Sequence, residues 1–171
     1  MTTRSKTIAD KARTLARYRM WADQLTFDAV ATLPPGEATK ARPTLFKTMI
    51  GTLNHNYLID LIWQAHLEGR DHGFKARNLV LYPELSDLWT AQKVVNQWYI
   101  DWSDRQSQDT LDEVVNFTFV GDEKGAMSRG DILLHVVNHA TYHRGWVAEM
   151  FFQVPARNPT TDLPVFLKRM T

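Results

Sequence analysis

His135, His139 and His143 stand at i, i+4 and i+8 of one segment, and on an α-helix that spacing stacks them along one side. Two imidazoles one turn apart can close on a metal ion from the same direction, and a further ligand must then come from elsewhere in the fold. The best candidate is His55, set among Leu58, Ile59 and Ile62, where an unpaired polar ring would cost about 2 kcal/mol or more. The chain contains no cysteine, so any metal is held by nitrogen and oxygen ligands and no thiolate nucleophile is available.

Helical phase separates the three stacked histidines. With about 100° per residue and His139 at zero, the apolar stripe of Ile132, Val136, Val147 and Met150 centres near roughly 70°. His143, at about 40°, falls inside the stripe and His139 lies at its edge, whereas His135, at about −40°, falls outside it. His139 and His143 are therefore the inward-facing pair, and His135 reads as a neutral core histidine without a ligand role. His66 and His72, at a helix end and in a loop, read as solvated surface residues. Asp60 and Glu149 are the acidic residues nearest in sequence to these histidines, but both are out of phase with them, so no general base stands out. Arg144 is a candidate anion contact.

The elements that must carry these residues are helical. Leu15, Tyr18, Ala22, Leu25, Ala29 and Leu33 recur at steps of three or four up to Pro34-Pro35-Gly36, which predicts a first helix with that stripe inward. A second, from about Thr44 to Glu68, is apolar around most of its circumference and is expected to be buried. Gly69 stops it, and residues 70–82 follow no period and read as a loop. A third begins near Ser86, with Leu88, Ala91, Val95, Trp98 and Trp102 on its inner face and Lys93, Asn96, Gln97 and Asp101 elsewhere. Val115, Phe117 and Phe119 then alternate with polar residues before Gly121-Asp122, the pattern of a small β-hairpin. A last long helix spans about Ser128 to Gln153, and after Pro155 a short one from Leu163 to Met170 is capped by Asp162. Four principal helices with one long connection make an all-α, four-helix-bundle domain over residues 1–171, with its site between facing helices.

Composition narrows the function classes. Twenty basic residues balance 19 acidic ones, so the footprint of a nucleic-acid binder is missing. Met1 to Ala12 carries Arg4, Lys6 and Lys11 but leads into no unbroken apolar run, and no later segment has the length of a membrane span. A cytoplasmic protein with neither nucleic-acid nor membrane partner is the expectation.

The segment Asn138-His139-Ala140-Thr141-Tyr142-His143-Arg144-Gly145, together with His55, resembles the DinB/YfiT-like superfamily. The likeness extends over nearly the whole chain, through Tyr18-Arg19-Met20-Trp21-Ala22, Leu53-Asn54-His55 and Thr161-Asp162-Leu163-Pro164. It implies an up-down-down-up bundle, commonly a homodimer, with a zinc or nickel ion on His55, His139 and His143. Members often continue Arg-Gly with glutamine, and here Trp146 stands in that place. The resemblance further implies a metal-dependent hydrolase or a transferase of low-molecular-weight thiols, with a small-molecule substrate. Three neutral imidazoles leave an open position for water or thiolate, and without cysteine the thiol would be a cosubstrate. Two non-enzymatic readings stand beside this one: a structural metal closed by a fourth protein ligand, and a dimeric bundle without metal.

Overall fold

A computed structural model describes residues 7–170; Arg4 and Lys6 of the amino-terminal segment lie outside the described residues. Six helices and one hairpin follow in order: α1 (Ile8–Ala31), α2 (Met49–Leu67), α3 (Leu85–Asp104), α4 (Gln108–Asp112), β1 (Val114–Thr118), β2 (Lys124–Ser128), α5 (Arg129–Phe151) and α6 (Leu163–Lys168). The chain folds as all-α with the hairpin ahead of the last long helix. No described helix is long and apolar enough to cross a membrane.

Side-chain pairs give the direction of each helix. Arg17 near the start of α1 meets Asp104 at the end of α3, and Phe27 near the end of α1 stacks on Trp89 near the start of α3. These two helices are antiparallel. Asn54 early in α2 binds the backbone of Tyr82 just ahead of α3, and Asp60 further along meets Gln92, so α2 and α3 run parallel. Trp63 lies against His135 and His55 against His139 and His143, which makes α5 antiparallel to α2. The bundle is thus up-down-down-up, with α1 packed on α3 and α5, and α2 packed on the same two helices.

Local signals account for the element ends. Thr7 and Asp10 form a reciprocal capping box at α1, the Thr7 hydroxyl accepting from the Asp10 N–H at 3.1 Å and the Asp10 carboxylate accepting from the Thr7 N–H at 3.0 Å; this satisfies two otherwise orphaned donors. Ser128 caps α5 by accepting from Asp131 N–H. Gly69 takes a left-handed φ of 68° directly after α2, the conformation that closes a helix at least cost for glycine. β1 and β2 pair antiparallel, Val115 opposite Met127 and Phe117 opposite Gly125. The Phe117 ring lies over Gly125 so closely that a Cβ there would collide with it.

Four expectations are corrected. The second helix starts at Met49, not near Thr44, because Lys47 turns to φ 63° and Thr48 becomes the N-cap, accepting from Gly51 N–H; Leu45 and Phe46 therefore lie in a loop. The inner face of α1 is rotated toward Ala16, Arg19, Asp23 and Val30, while Leu15, Leu25 and Leu33 are only half-buried. On α3 the buried face includes Gln92 and Asn96, and Trp98 is half-buried. Asp162 stands at the N-cap of α6 but makes no capping bond; Pro164 in the first turn pre-sets the helix instead. The short α4 has no counterpart in the sequence reading.

The polar residues inside these faces form one network across all four long helices. Arg19 grips Asp60 with both terminal nitrogens, the first at 2.6 Å, and its Nε reaches Asp23 at 3.3 Å. Gln92 donates to Asp60 at 2.8 Å and Asn96 to Asp23 at 2.9 Å. Arg144 of α5 completes the ring on Asp23. Two cations and two carboxylates cancel in charge, which is the condition under which such groups tolerate burial.

Candidate metal centre

His55, His139 and His143 converge between α2 and α5, one ring nitrogen from each lying within 4.8 Å of the others. The Nε2 atoms of His55 and His139 are 3.2 Å apart. Two nitrogens on one tetrahedral zinc, each at about 2.0–2.1 Å, would be roughly 3.3 Å apart. His55 is turned by its other nitrogen: Nδ1–H donates to the carbonyl of Arg77 at 2.6 Å. That fixes the tautomer in which Nε2 carries a lone pair, the arrangement found around metal-bound imidazoles. Nδ1 of His139 and of His143 are buried without a hydrogen-bond partner among the described residues.

Electrostatics keep the cluster neutral and ready to donate. Burial lowers the pKa of His139 to about 2, helped by the neighbouring His143, His55 and His135 rings and by Arg19. Burial and the His55 ring push His143 down to about 4, and burial lowers His55 as well. Neutral imidazole is the form that binds metal. These donors fit a divalent ion with three protein ligands, and no fourth protein ligand joins the group among the described residues.

Aromatic rings build the walls. Phe46 stacks on His55, with centroids 4.1 Å apart and planes 19° from parallel, and presents its edge to His143. It is held there because Gly51 lies against the Phe46 carbonyl, where any Cβ would collide. Trp146, in the place often taken by glutamine, stands edge-on to His143 at 4.7 Å and against Phe46 at 5.8 Å. In front of the cluster opens a cavity of about 790 Å³.

The other sequence candidates divide. His135 is half-buried against Trp63 at 4.9 Å and stays outside the three-nitrogen group. His66 and His72 are not fully solvated as expected. Both are half-buried: His66 packs on Trp63 and Phe117 and lines the cavity, and His72 accepts the Phe74 N–H at 3.0 Å. Arg144 is no anion contact for the cavity, since it is buried on Asp23, Tyr18 and Thr141. Asp60 is locked by Arg19, and Glu149 is exposed. Sequence reasoning missed Phe46 and the Arg77 carbonyl. Gly51 after the loop was a usable signal for the first; a backbone acceptor leaves none for the second.

Two comparisons with known proteins bear on this arrangement. The chain is 26% identical over 167 residues to the protein named Protein DinB of Bacillus subtilis (strain 168), covering 94% of this chain and 95% of that one. A family profile described as DinB family matches residues 3–170. With that match over nearly its whole length, the chain belongs to the DinB family.

Proposed function

We propose that the protein is a metal-dependent enzyme that holds one divalent ion, zinc or nickel, on His55, His139 and His143 and works on a small molecule, as a low-molecular-weight thiol transferase or a hydrolase. The observation that carries this reading is the convergence of three neutral imidazoles at the inner end of an aromatic-walled cavity. A divalent ion with three such ligands supplies Lewis acidity toward a water or thiol in its remaining position. The chain's own contribution is positional. His55 is oriented by the Arg77 carbonyl, Phe46 covers one face of that ring, and Trp146 stands edge-on to His143.

The absence of cysteine makes any thiol a cosubstrate, and the family resemblance supports a cytoplasmic homodimer. The test is elemental analysis of protein purified without a histidine tag and exposed to zinc or nickel, where about one ion per chain is expected. Cobalt-substituted protein should then change its visible spectrum on titration with a small thiol. Protein that takes up no divalent ion overturns the reading; a spectrum indifferent to every thiol reduces it to a structural metal.

A further inference from the structure

The wall of the cavity is one-sided in charge. Among the described residues no aspartate or glutamate lines it, whereas Lys75 and Arg77 do. Both are exposed residues of the loop between α2 and α3, and neither makes an ion pair among the described residues. Asp71, whose field reaches Lys75, turns its carboxylate onto the Gly73 N–H at 2.9 Å and is not part of the wall.

The loop that carries the two cations is held in place. Asn54 of α2 accepts from the N–H groups of Leu81 and Tyr82, both at 2.9 Å, and donates to the Tyr82 carbonyl at 2.8 Å. The Arg77 carbonyl is fixed on His55 at 2.6 Å. The guanidinium thus extends from a backbone position that is tied to a histidine of the cluster. Between rim and histidines the wall is apolar and aromatic, with Leu45, Phe46, Trp63, Phe119 and Trp146; Leu45 is 73% exposed, apolar surface that a ligand would cover.

We infer that the cavity takes an organic anion with an aromatic or branched apolar body, whose carboxylate is held at the rim by Lys75 and Arg77 while the body lies on Phe46 and Trp146. This deepens the proposed function and rests on it for taking the same cavity as the ligand site; the rim acts on the ligand without a metal. Guanidinium and ammonium at one mouth give a charge-assisted pair for a carboxylate.

Isothermal titration of the zinc-loaded protein with 4-phenylbutanoate and with 4-phenylbutanamide tests this. The carboxylate is expected to bind at least tenfold more tightly than the amide. The double variant Lys75→Met/Arg77→Met should lose that preference to within twofold and keep its zinc, since the Arg77 carbonyl remains. Arg77→Lys should retain most of it, which guards against a variant that merely unfolds the loop. Metal-free wild-type protein should still prefer the carboxylate. Equal binding of acid and amide by the wild type, no binding of either, or an undiminished preference in the double variant each overturns the inference; a preference lost on metal removal but unmoved by the double variant places the anion on the metal and overturns it too. If the protein takes up no metal yet shows a rim-dependent preference, the anion site stands and the metal reading falls.

Discussion

Two polar clusters lie inside this bundle, and they are built on opposite rules. Around Arg19 and Asp60 nearly every donor and acceptor has a partner within the protein; among the described residues only the Arg144 Nε of that network lacks one. Around His139 and His143 two buried nitrogens have none among the described residues, and the third ring, His55, offers its Nε2 to another imidazole. The first cluster is closed in charge and in hydrogen bonds, so it specifies how four helices meet. The second is left open at an aromatic cavity, so it is held ready for something from outside. Buried polar groups are ordinarily satisfied, and the two unpartnered imidazole nitrogens set this cluster apart from the first.

Breaking the closed cluster should have the largest effect on the fold. Asp60→Ala removes the partner of a guanidinium that is 1% exposed, leaving an uncompensated buried charge at a cost of about 3–5 kcal/mol. Urea denaturation of the metal-free variant measures it. A loss below about 1 kcal/mol would mean that the network does not organise the bundle.

The open cluster should respond to metal instead. At a thousandfold excess over its Kd, a divalent ion should stabilise the wild type by about 4 kcal/mol, read as a shift in the denaturation midpoint. His139→Ala and His143→Ala should abolish that gain, whereas His135→Ala, outside the three-nitrogen group, should largely keep it. Equal losses at all three positions would mean a different ligand set.

Gly51→Ala should give a smaller effect that links the two regions. Its Cβ would meet the Phe46 carbonyl, a backbone atom that cannot swing aside, and strain of this kind typically costs about 1–3 kcal/mol. The loop carrying Phe46 should move off His55, so metal affinity and stability should fall together; a variant that loses neither would show the loop to be adaptable.

The two clusters were unequally legible in the sequence. The histidines were visible because i, i+4, i+8 is a spacing that one helix reads as a line, and His55 stood out as a polar ring in an apolar run. Their phase separated His143 and His139 from His135. Arg19, Asp23, Asn96 and Asp60 were invisible as a network because each also needs a partner on another helix, Arg19 and Asp60 being 41 positions apart and Asp23 and Arg144 121 apart. A single polar residue on an apolar stripe looks like a surface position until its partner is known, and this is why the inner faces of the first and third helices were drawn with a rotation. The bundle itself was legible because four apolar periods and their stops do not depend on partners. Phe46 was assigned to a helix it only precedes, since apolar residues ahead of Thr48 continue the helical pattern up to the cap.

Acid titration of the metal-free protein should show the smallest and most diagnostic difference. The histidines of the open cluster have pKa values lowered by burial, His143 to about 4 and His139 to about 2, while in the unfolded chain each takes up a proton near pH 6.5. Below that point the unfolded state binds more protons than the folded one, so stability must fall as pH falls, by at most about 1.4 kcal/mol per pH unit for each histidine kept neutral. The His143 contribution is present above pH 6.5 and is lost progressively down to about pH 4. Asp60 acts with the opposite sign: burial raises it to about 6 from an unfolded value of 3.8, so it protonates first in the folded state, and its contribution is present at low pH and lost as pH rises through about 6. The two clusters therefore pull against each other between about pH 4 and 6, where Asp60 offsets one of the histidines and the wild-type slope keeps the histidines' sign. His143→Gln removes one side of the balance without touching the Arg19–Asp60 pair, so its stability should fall less steeply than that of the wild type between pH 6.5 and 4. Parallel curves for the two proteins in urea denaturation across that window would show that His143 takes up its proton in the fold as readily as in the unfolded chain, and that the open cluster is wetter than its burial implies.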